Sequence, residues 1–211
     1  TSPAVLTVLR FAIAAVLLVP LAMWRGAPVR GILASPVGAV LGFSGVAAYY
    51  GLQNIGLQNT SAVTTALLQA VLPVATALLA AVLLRERVEP RVALGLVMAS
   101  VGVVLTASSA PRFDLGVVLI VIGLVSYALY TVALRWSADH SDEASDWLAV
   151  ATASCIWGLG FLLPWLAWEV ASGRSRWPVD VGTLGETIYL GVVASGGTLL
   201  LWSYGAARTS A

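Results

Sequence analysis

The chain of 211 residues contains 59% hydrophobic and 10% charged residues, with a formal net charge of +1 and a mean hydropathy of +0.93. A soluble globular domain carries about 25% charged residues, so the composition excludes that class and indicates a membrane protein. The residues that carry positive charge at pH 7 are all arginine, and the single cysteine is Cys155. One cysteine excludes an intrachain disulfide framework, and we expect its thiol to be buried and unreactive.

Seven apolar runs are long enough to cross a bilayer, whose hydrocarbon core of about 30 Å requires about 20 residues of helix. Charged residues concentrate between these runs, except in "GLQNIGLQNTSA" (51–62), which holds only neutral polar residues. Thr60 or Ser61 in this stretch is expected to cap the third helix. We therefore predict an all-α polytopic membrane protein with seven visible transmembrane helices, over 4–24, 31–55, 61–84, 91–108, 115–136, 146–168 and 184–206.

The arginines indicate how these spans are oriented. If successive loops alternate sides, one side holds Arg112, Arg174 and Arg176, and the other holds Arg25, Arg30, Arg85, Arg87, Arg91, Arg135 and Arg208. The positive-inside rule places the richer side in the cytoplasm. We expect a multi-pass protein of the cell inner (plasma) membrane. Its cytoplasmic segments would be loops 25–30, 85–91 and 135–146 and the C-terminal end.

Arg10 is the one arginine that lies more than a turn inside a predicted span. It lies about two turns from the outer end of its helix, so we expect its side chain to snorkel to the membrane interface. A contact with the substrate is the alternative.

An internal repeat relates the two halves. At an offset of 149 positions, 52–62 lies over 201–211, and Leu, Gly, Thr, Ser and Ala coincide. At an offset of 144, 17–24 lies over 161–168, with coincidence at Leu18–Leu162, Pro20–Pro164 and Trp24–Trp168. The repeating unit has five helices, and an odd number inverts the second copy in the membrane. Inverted repeats are common in secondary transporters, with the substrate site near the midplane.

The segment "LQNTSAVTTALLQAVLPVATALLAAVLLRERVEPRVALGLVMASVGVVLTA" (57–107) resembles the EamA domain of the drug/metabolite transporter (DMT) superfamily. The shared pattern is a "TSA" turn, an apolar helix with a central proline, a "GER"-like loop and a glycine-rich helix. Here the loop reads "RER", so that Arg85 replaces the glycine and Glu86 matches the glutamate. The resemblance implies ten helices in two inverted repeats, of which this chain would hold helices two to eight. Residues 1–109 would form the first repeat and 110–211 the second, each incomplete.

Polar and aromatic side chains within the spans are candidates for substrate contact, because a polar group in lipid must find a partner or face a cavity. Gln69 precedes Pro73 by four residues, so proline should free the Gln69 carbonyl near mid-membrane. The same groups also bind helices together, and tyrosine and tryptophan also occupy interfacial belts. The candidate substrate-binding residues are Tyr50, Gln53, Asn54, Gln69, Pro73, Tyr127, Tyr130, Ser195 and Trp202.

The sequence favours a carrier that exports small metabolites, such as amino acids or drugs, by alternating access. A lipid flippase and a small-molecule channel stay open as alternatives, and an intramembrane enzyme is a weaker one. The stretch "DHSDEASD" (139–146) favours a solvated loop over a metal site, and we expect no catalytic residue, metal or cofactor. The expected partners are a small-molecule substrate and the lipid bilayer, with no nucleic acid. A homodimer is an open possibility.

Overall fold

The computed structural model describes residues 1–85, 90–107, 114–140 and 146–208, and every regular element within these ranges is a helix. The α-helices are α1 (Pro3–Arg25), α2 (Val29–Ala34), α3 (Pro36–Gly42), α4 (Tyr49–Gly56), α5 (Ala62–Leu68), α6 (Leu72–Leu83), α7 (Pro90–Ala107), α8 (Leu115–His140), α9 (Trp147–Ala171), α10 (Val181–Gly191) and α11 (Thr198–Arg208). Two π-helical segments connect α3 to α4 (Phe43–Ala48) and α10 to α11 (Val192–Gly197), and a 3₁₀ turn (Gln69–Val71) connects α5 to α6.

Each of the seven predicted spans is helical over most of its length within the described residues. In the part of the chain that the structure describes, five helical runs are long and apolar enough to cross a membrane, namely Pro3–Arg25, Ala62–Leu83, Leu115–His140, Trp147–Ala171 and Val181–Gly205. The predicted second span is interrupted at Ser35, whose side chain accepts a hydrogen bond from Gly38 N and so caps α3. Ser61 caps α5 by accepting from Thr64 N at 3.0 Å, which confirms the predicted cap.

The chain divides into two compact units, and the first comprises residues 1–47 and 133–211. Its centre is the pair α1 and α9, which run antiparallel. The carboxylate of Glu169, near the end of α9, meets the start of α1, and the guanidinium of Arg25, at the end of α1, lies 5.8 Å from the ring centre of Trp147. Midway, the thiol of Cys155 donates to the carbonyl of Phe11 at 3.3 Å. The expectation of a buried cysteine is confirmed.

Contacts in the first unit recur in pairs at the offsets found in the sequence. The two π-helical segments start 149 positions apart, and α1 and α9 start 144 positions apart. Gly42, just before one π-helical segment, packs on the backbone at Ser154 and Gly158 of α9. Gly191, just before the other, packs on Ile13 and on the backbone at Arg10 of α1. Ser154 occupies the position equivalent to Arg10 at the 144-residue offset, so the contact of Gly191 with α1 is equivalent to the contact of Gly42 with α9.

The second unit comprises residues 48–132. Here α4 packs on α8 through glycines. A Cβ atom on Gly56 would come within 2.9 Å of the carbonyl oxygen of Gly116, and one on Gly123 would come within 3.2 Å of that of Tyr49. Glycine at these positions lets the backbones of α4 and α8 approach closely. The two compact units are defined by contacts between residues, whereas the predicted repeats, 1–109 and 110–211, are defined by similarity of sequence. The repeat boundary near residue 109 therefore stays a prediction.

Candidate functional site

Four tyrosines gather in the second unit, two from α4 and two from α8, and we call them the tyrosine cluster: Tyr49, Tyr50, Tyr127 and Tyr130. The ring centres lie 4.6 Å apart for Tyr49–Tyr50, 4.5 Å for Tyr49–Tyr127 and 5.3 Å for Tyr127–Tyr130. All four side chains are buried. These distances are within the range of favourable edge-to-face and offset ring packing. The structure thus brings together three of the predicted residues and adds Tyr49.

The side chain of Gln69 joins this cluster, because the hydroxyl of Tyr49 donates to Gln69 Oε1 at 3.3 Å. Gln69 opens the 3₁₀ turn that precedes Pro73, and the backbone N–H of Leu72 donates to the Gln69 carbonyl. The prediction of a free carbonyl at Gln69 is therefore wrong. Proline removes the bond between residues four apart, but the chain tightens locally and a bond between residues three apart replaces it.

The remaining predicted residues have different surroundings. Gln53 and Asn54 are half-buried in the second unit, one turn beyond the tyrosines on α4, and the ring of Pro73 is exposed. Ser195 and Trp202 belong to the first unit, where Ser195 is fully buried and Trp202 is 39% exposed. Ser195 and Trp202 therefore do not share one environment, although they lie seven residues apart on the same helical run.

Arg10 is buried in the first unit, and this corrects the expectation that it snorkels to the interface. Its Nε donates to Ser195 Oγ at 2.7 Å, and its Nη2 donates to the Ala194 carbonyl at 3.3 Å. Both acceptors lie in the second π-helical segment. A guanidinium inside a membrane span is costly unless polar groups receive its hydrogen bonds. The π-helical segment supplies two of them, so Arg10 links α1 to this segment.

Glu169 is a buried carboxylate that the sequence placed only near the outer end of its span. Its Oε2 accepts from Ser2 Oγ at 2.6 Å and from Val5 N at 3.3 Å, and its Oε1 accepts from Ala4 N at 3.5 Å. The first N–H groups of a helix have no partner within the helix and favour negative charge. Glu169 thus caps α1 from another helix, a contact with no local sequence signal.

Among the described residues, no group of three His, Cys, Asp or Glu side chains is placed to hold a metal ion. Within the acidic stretch 139–146, residues 141–145, with Asp142 and Glu143, lie outside the described residues. His140 stacks on Trp136 at 4.7 Å, and its Nδ1 lies 2.7 Å from the Trp136 carbonyl, so the ring is engaged within its own helix.

Long apolar helices and buried polar contacts between them define a multi-pass, all-α membrane protein. Residues 1–108 match the model of the EamA-like transporter family, and the chain belongs to this family. The protein is therefore a membrane transporter of the DMT type. A solved crystal structure of a protein is similar over 99% of this chain and 71% of that chain, with a TM-score of 0.73 and 22% identity. At that identity the likeness concerns the fold. A search of curated proteins finds no match.

Proposed function

We propose that the protein is a secondary carrier of small metabolites, such as amino acids or uncharged drugs, with the tyrosine cluster and Gln69 as the core of its binding site. The hydrogen bond between Tyr49 and Gln69 supports this most directly, because it joins an amide to four aromatic rings within one unit. Aromatic faces bind apolar or cationic parts of a solute, and an amide offers both a donor and an acceptor.

The other predicted contacts extend this proposal. Gln53 and Asn54 are half-buried on the helix that carries Tyr49 and Tyr50, and they are proposed to contact a bound solute. Pro73 is proposed to shape the site through the 3₁₀ turn that begins at Gln69. Ser195 and Trp202, in the first unit, stay a separate prediction of substrate contact that rests on the sequence. A site of neutral groups suits zwitterionic or uncharged solutes better than strongly charged ones.

We propose alternating access as the mechanism and export from the cytoplasm as the direction. The paired contacts of Gly42 and Gly191 support it, since two halves related by an inverted repeat can exchange inward and outward states by rocking. The inner membrane is the proposed location, and the arginine-rich loops 25–30, 85–91 and 135–146 and the C-terminal end face the cytoplasm. A homodimer stays an open possibility beside the monomer.

Counterflow in proteoliposomes tests the carrier and its site. The full-length protein is reconstituted with a panel of labelled amino acids, and Gln69→Ala is compared with the wild type. The matched control is Gln58→Ala, which removes the same amide from an exposed turn. We expect saturable accumulation of one solute, reduced about threefold to tenfold in Gln69→Ala because a hydrogen bond is lost, and unchanged in Gln58→Ala.

Two outcomes would contradict parts of the proposal separately. Counterflow that is equal in all three proteins would keep the carrier and discard the binding site at Gln69. Solute flux without counterflow would discard the carrier in favour of a channel, because a channel does not couple the movement of one molecule to the return of another.

A further inference from the structure

A cavity of about 340 Å³ lies in the first unit, where α1 ends and the chain turns into α2. Its walls come from α1, α2, α9 and the turn at Ala27 and Pro28. Gly26 ends α1 in the left-handed region at φ +66°, and the N–H of Ala27 donates to the Ala22 carbonyl at 2.9 Å. This pattern is a Schellman motif. The turn is fixed by backbone hydrogen bonds, so the cavity has a preformed rim.

The lining of this cavity is apolar except for two side chains, Arg30 and Thr152. The hydroxyl of Thr152 donates to the Leu148 carbonyl at 2.7 Å within α9, so its proton is already engaged. Arg30 is exposed and keeps its charge in contact with the surroundings. The lining therefore suits a ligand that has an apolar body and one anionic group, rather than a polar solute throughout, which would lose its hydration against these walls.

The cavity lies at the depth of the membrane interface. Met23 and Trp24, in the last turn of α1, are 77% and 80% exposed. Arg25 follows them, with its guanidinium over the ring of Trp147. Tryptophan and arginine at the end of an apolar helix mark the headgroup region of a bilayer. The molecules that are most concentrated at this depth are lipids, and each has an apolar body and a polar head.

We propose that this cavity binds one anionic glycerophospholipid. Its phosphate lies on the guanidinium of Arg30, and the first part of an acyl chain enters the apolar cavity. A guanidinium binds a phosphate through two parallel hydrogen bonds. Basic pockets between transmembrane helices on the cytoplasmic side attract anionic headgroups. This site is separate from the tyrosine cluster, and the proposal does not depend on what the protein transports.

Native mass spectrometry of the full-length protein in detergent tests this site by titration with dioleoyl phosphatidylglycerol or dioleoyl phosphatidylcholine. We expect the first phosphatidylglycerol to bind more tightly than the first phosphatidylcholine. Arg30→Gln should weaken phosphatidylglycerol binding by about fivefold or more, from the loss of one interfacial charge contact. Ala27→Phe, which keeps every charge and fills the cavity, should weaken binding of both lipids.

The matched control is Arg174→Gln. Arg174 is also exposed and lies 5.3 Å from the ring of Trp168 at the end of α9, but it does not line the cavity. Its substitution should leave the first phosphatidylglycerol adduct unchanged. Equal weakening in Arg174→Gln and Arg30→Gln would overturn the site in favour of unspecific charge attraction. Wild-type binding in Ala27→Phe, or equal affinity for the two lipids in the wild type, would also overturn it.

Discussion

At the scale of single residues, two buried charged groups in this protein, Arg10 and Glu169, are hydrogen-bonded to partners far away in the chain. Arg10 donates to Ser195, 185 residues later, and Ser2 donates to Glu169, 167 residues later. In an apolar core a polar group without a partner costs about 1–3 kcal/mol. These two contacts therefore hold α1 against α9 and against the second π-helical segment more specifically than apolar packing does.

Ser195→Ala should destabilise the fold by about 1–3 kcal/mol, because the buried guanidinium of Arg10 loses the acceptor of its 2.7 Å hydrogen bond. Reversible unfolding in mixed micelles measures this change. Ser154→Ala is the matched control, since Ser154 corresponds to Arg10 at the 144-residue offset and its buried hydroxyl has no hydrogen-bond partner among the described residues. That substitution should be neutral or stabilising. Equal losses in both variants would contradict the assigned role of the Arg10–Ser195 contact.

Asp180 should make the start of α10 sensitive to acid. Its side chain accepts from Thr183 Oγ1 at 2.6 Å and from Thr183 N at 2.9 Å, and these bonds hold the pKa of Asp180 below its ordinary value of 3.8. A lowered pKa stabilises the folded state above pH 3.8, and this contribution is lost as the pH falls through the folded pKa. The difference in melting temperature between wild type and Asp180→Ala should shrink as the pH falls from 3.8 to below the folded-state pKa of Asp180. A constant difference would contradict this assignment.

At the scale of elements, the irregular helical segments mark where helices pack most closely. Gly42 and Gly191 each stand at the last α-helical position before a π-helical segment, and each faces backbone of a neighbouring helix. π-Helical turns insert a residue and re-aim the side chains that follow, and they are frequent at functional sites. In the π-helical segment Val192–Gly197, one of these side chains is Ser195, which accepts the hydrogen bond from Arg10 Nε. The first copy has Val46 at that position, in contact with Gly158.

Gly191→Ala should destabilise the protein by about 1–3 kcal/mol through overpacking. The new Cβ atom would lie 2.7 Å from the Cβ of Ile13 and 3.0 Å from the carbonyl oxygen of Arg10. The matched control is Gly160→Ala, which lies within α9 with no atom within 4 Å of the added methyl. Alanine there should stabilise by about 0.5–1 kcal/mol through helix propensity. Unfolding free energies that change in the same direction for both variants would contradict close packing at Gly191.

Helix positions were predictable here because length and apolarity set the spans, and the cap at Ser61 was predictable from its side chain. The π-helical segments were not, because "FSGVAA" and "VVASGG" carry no signal that separates them from α-helix. At Gln69 the proline predicted a break but not the tighter turn that repairs it. Tyr49 was missed because its partners, Gln69 and Tyr127, lie on other helices, and one sequence does not show such contacts.

At the scale of the whole molecule, the composition and the internal repeat of the sequence predict the membrane location and the arrangement of the helices. The arginine bias predicts a direction across the membrane, and the odd number of helices in each predicted repeat predicts that the second repeat is inverted. Family membership then gives transport. The identity of the substrate is harder to predict from sequence, because it depends on side chains that meet across helices. Neutral groups such as tyrosine and glutamine also exclude fewer solutes than charged groups do. The orientation is therefore the global property that experiment can decide most directly.

Cysteines introduced one at a time should decide the orientation of the protein in the membrane. The native Cys155 is buried and should react slowly, so it need not be removed. Asp139→Cys places an exposed thiol at the arginine-rich end of α8, and Val179→Cys places one before α10, where the native side chain is 93% exposed. A membrane-impermeant maleimide should label Val179→Cys in intact cells and Asp139→Cys only in inverted vesicles. Unsubstituted protein gives the background. Labelling of Asp139→Cys from outside would reverse the orientation and would turn the proposed lipid site of Arg30 toward the outer leaflet.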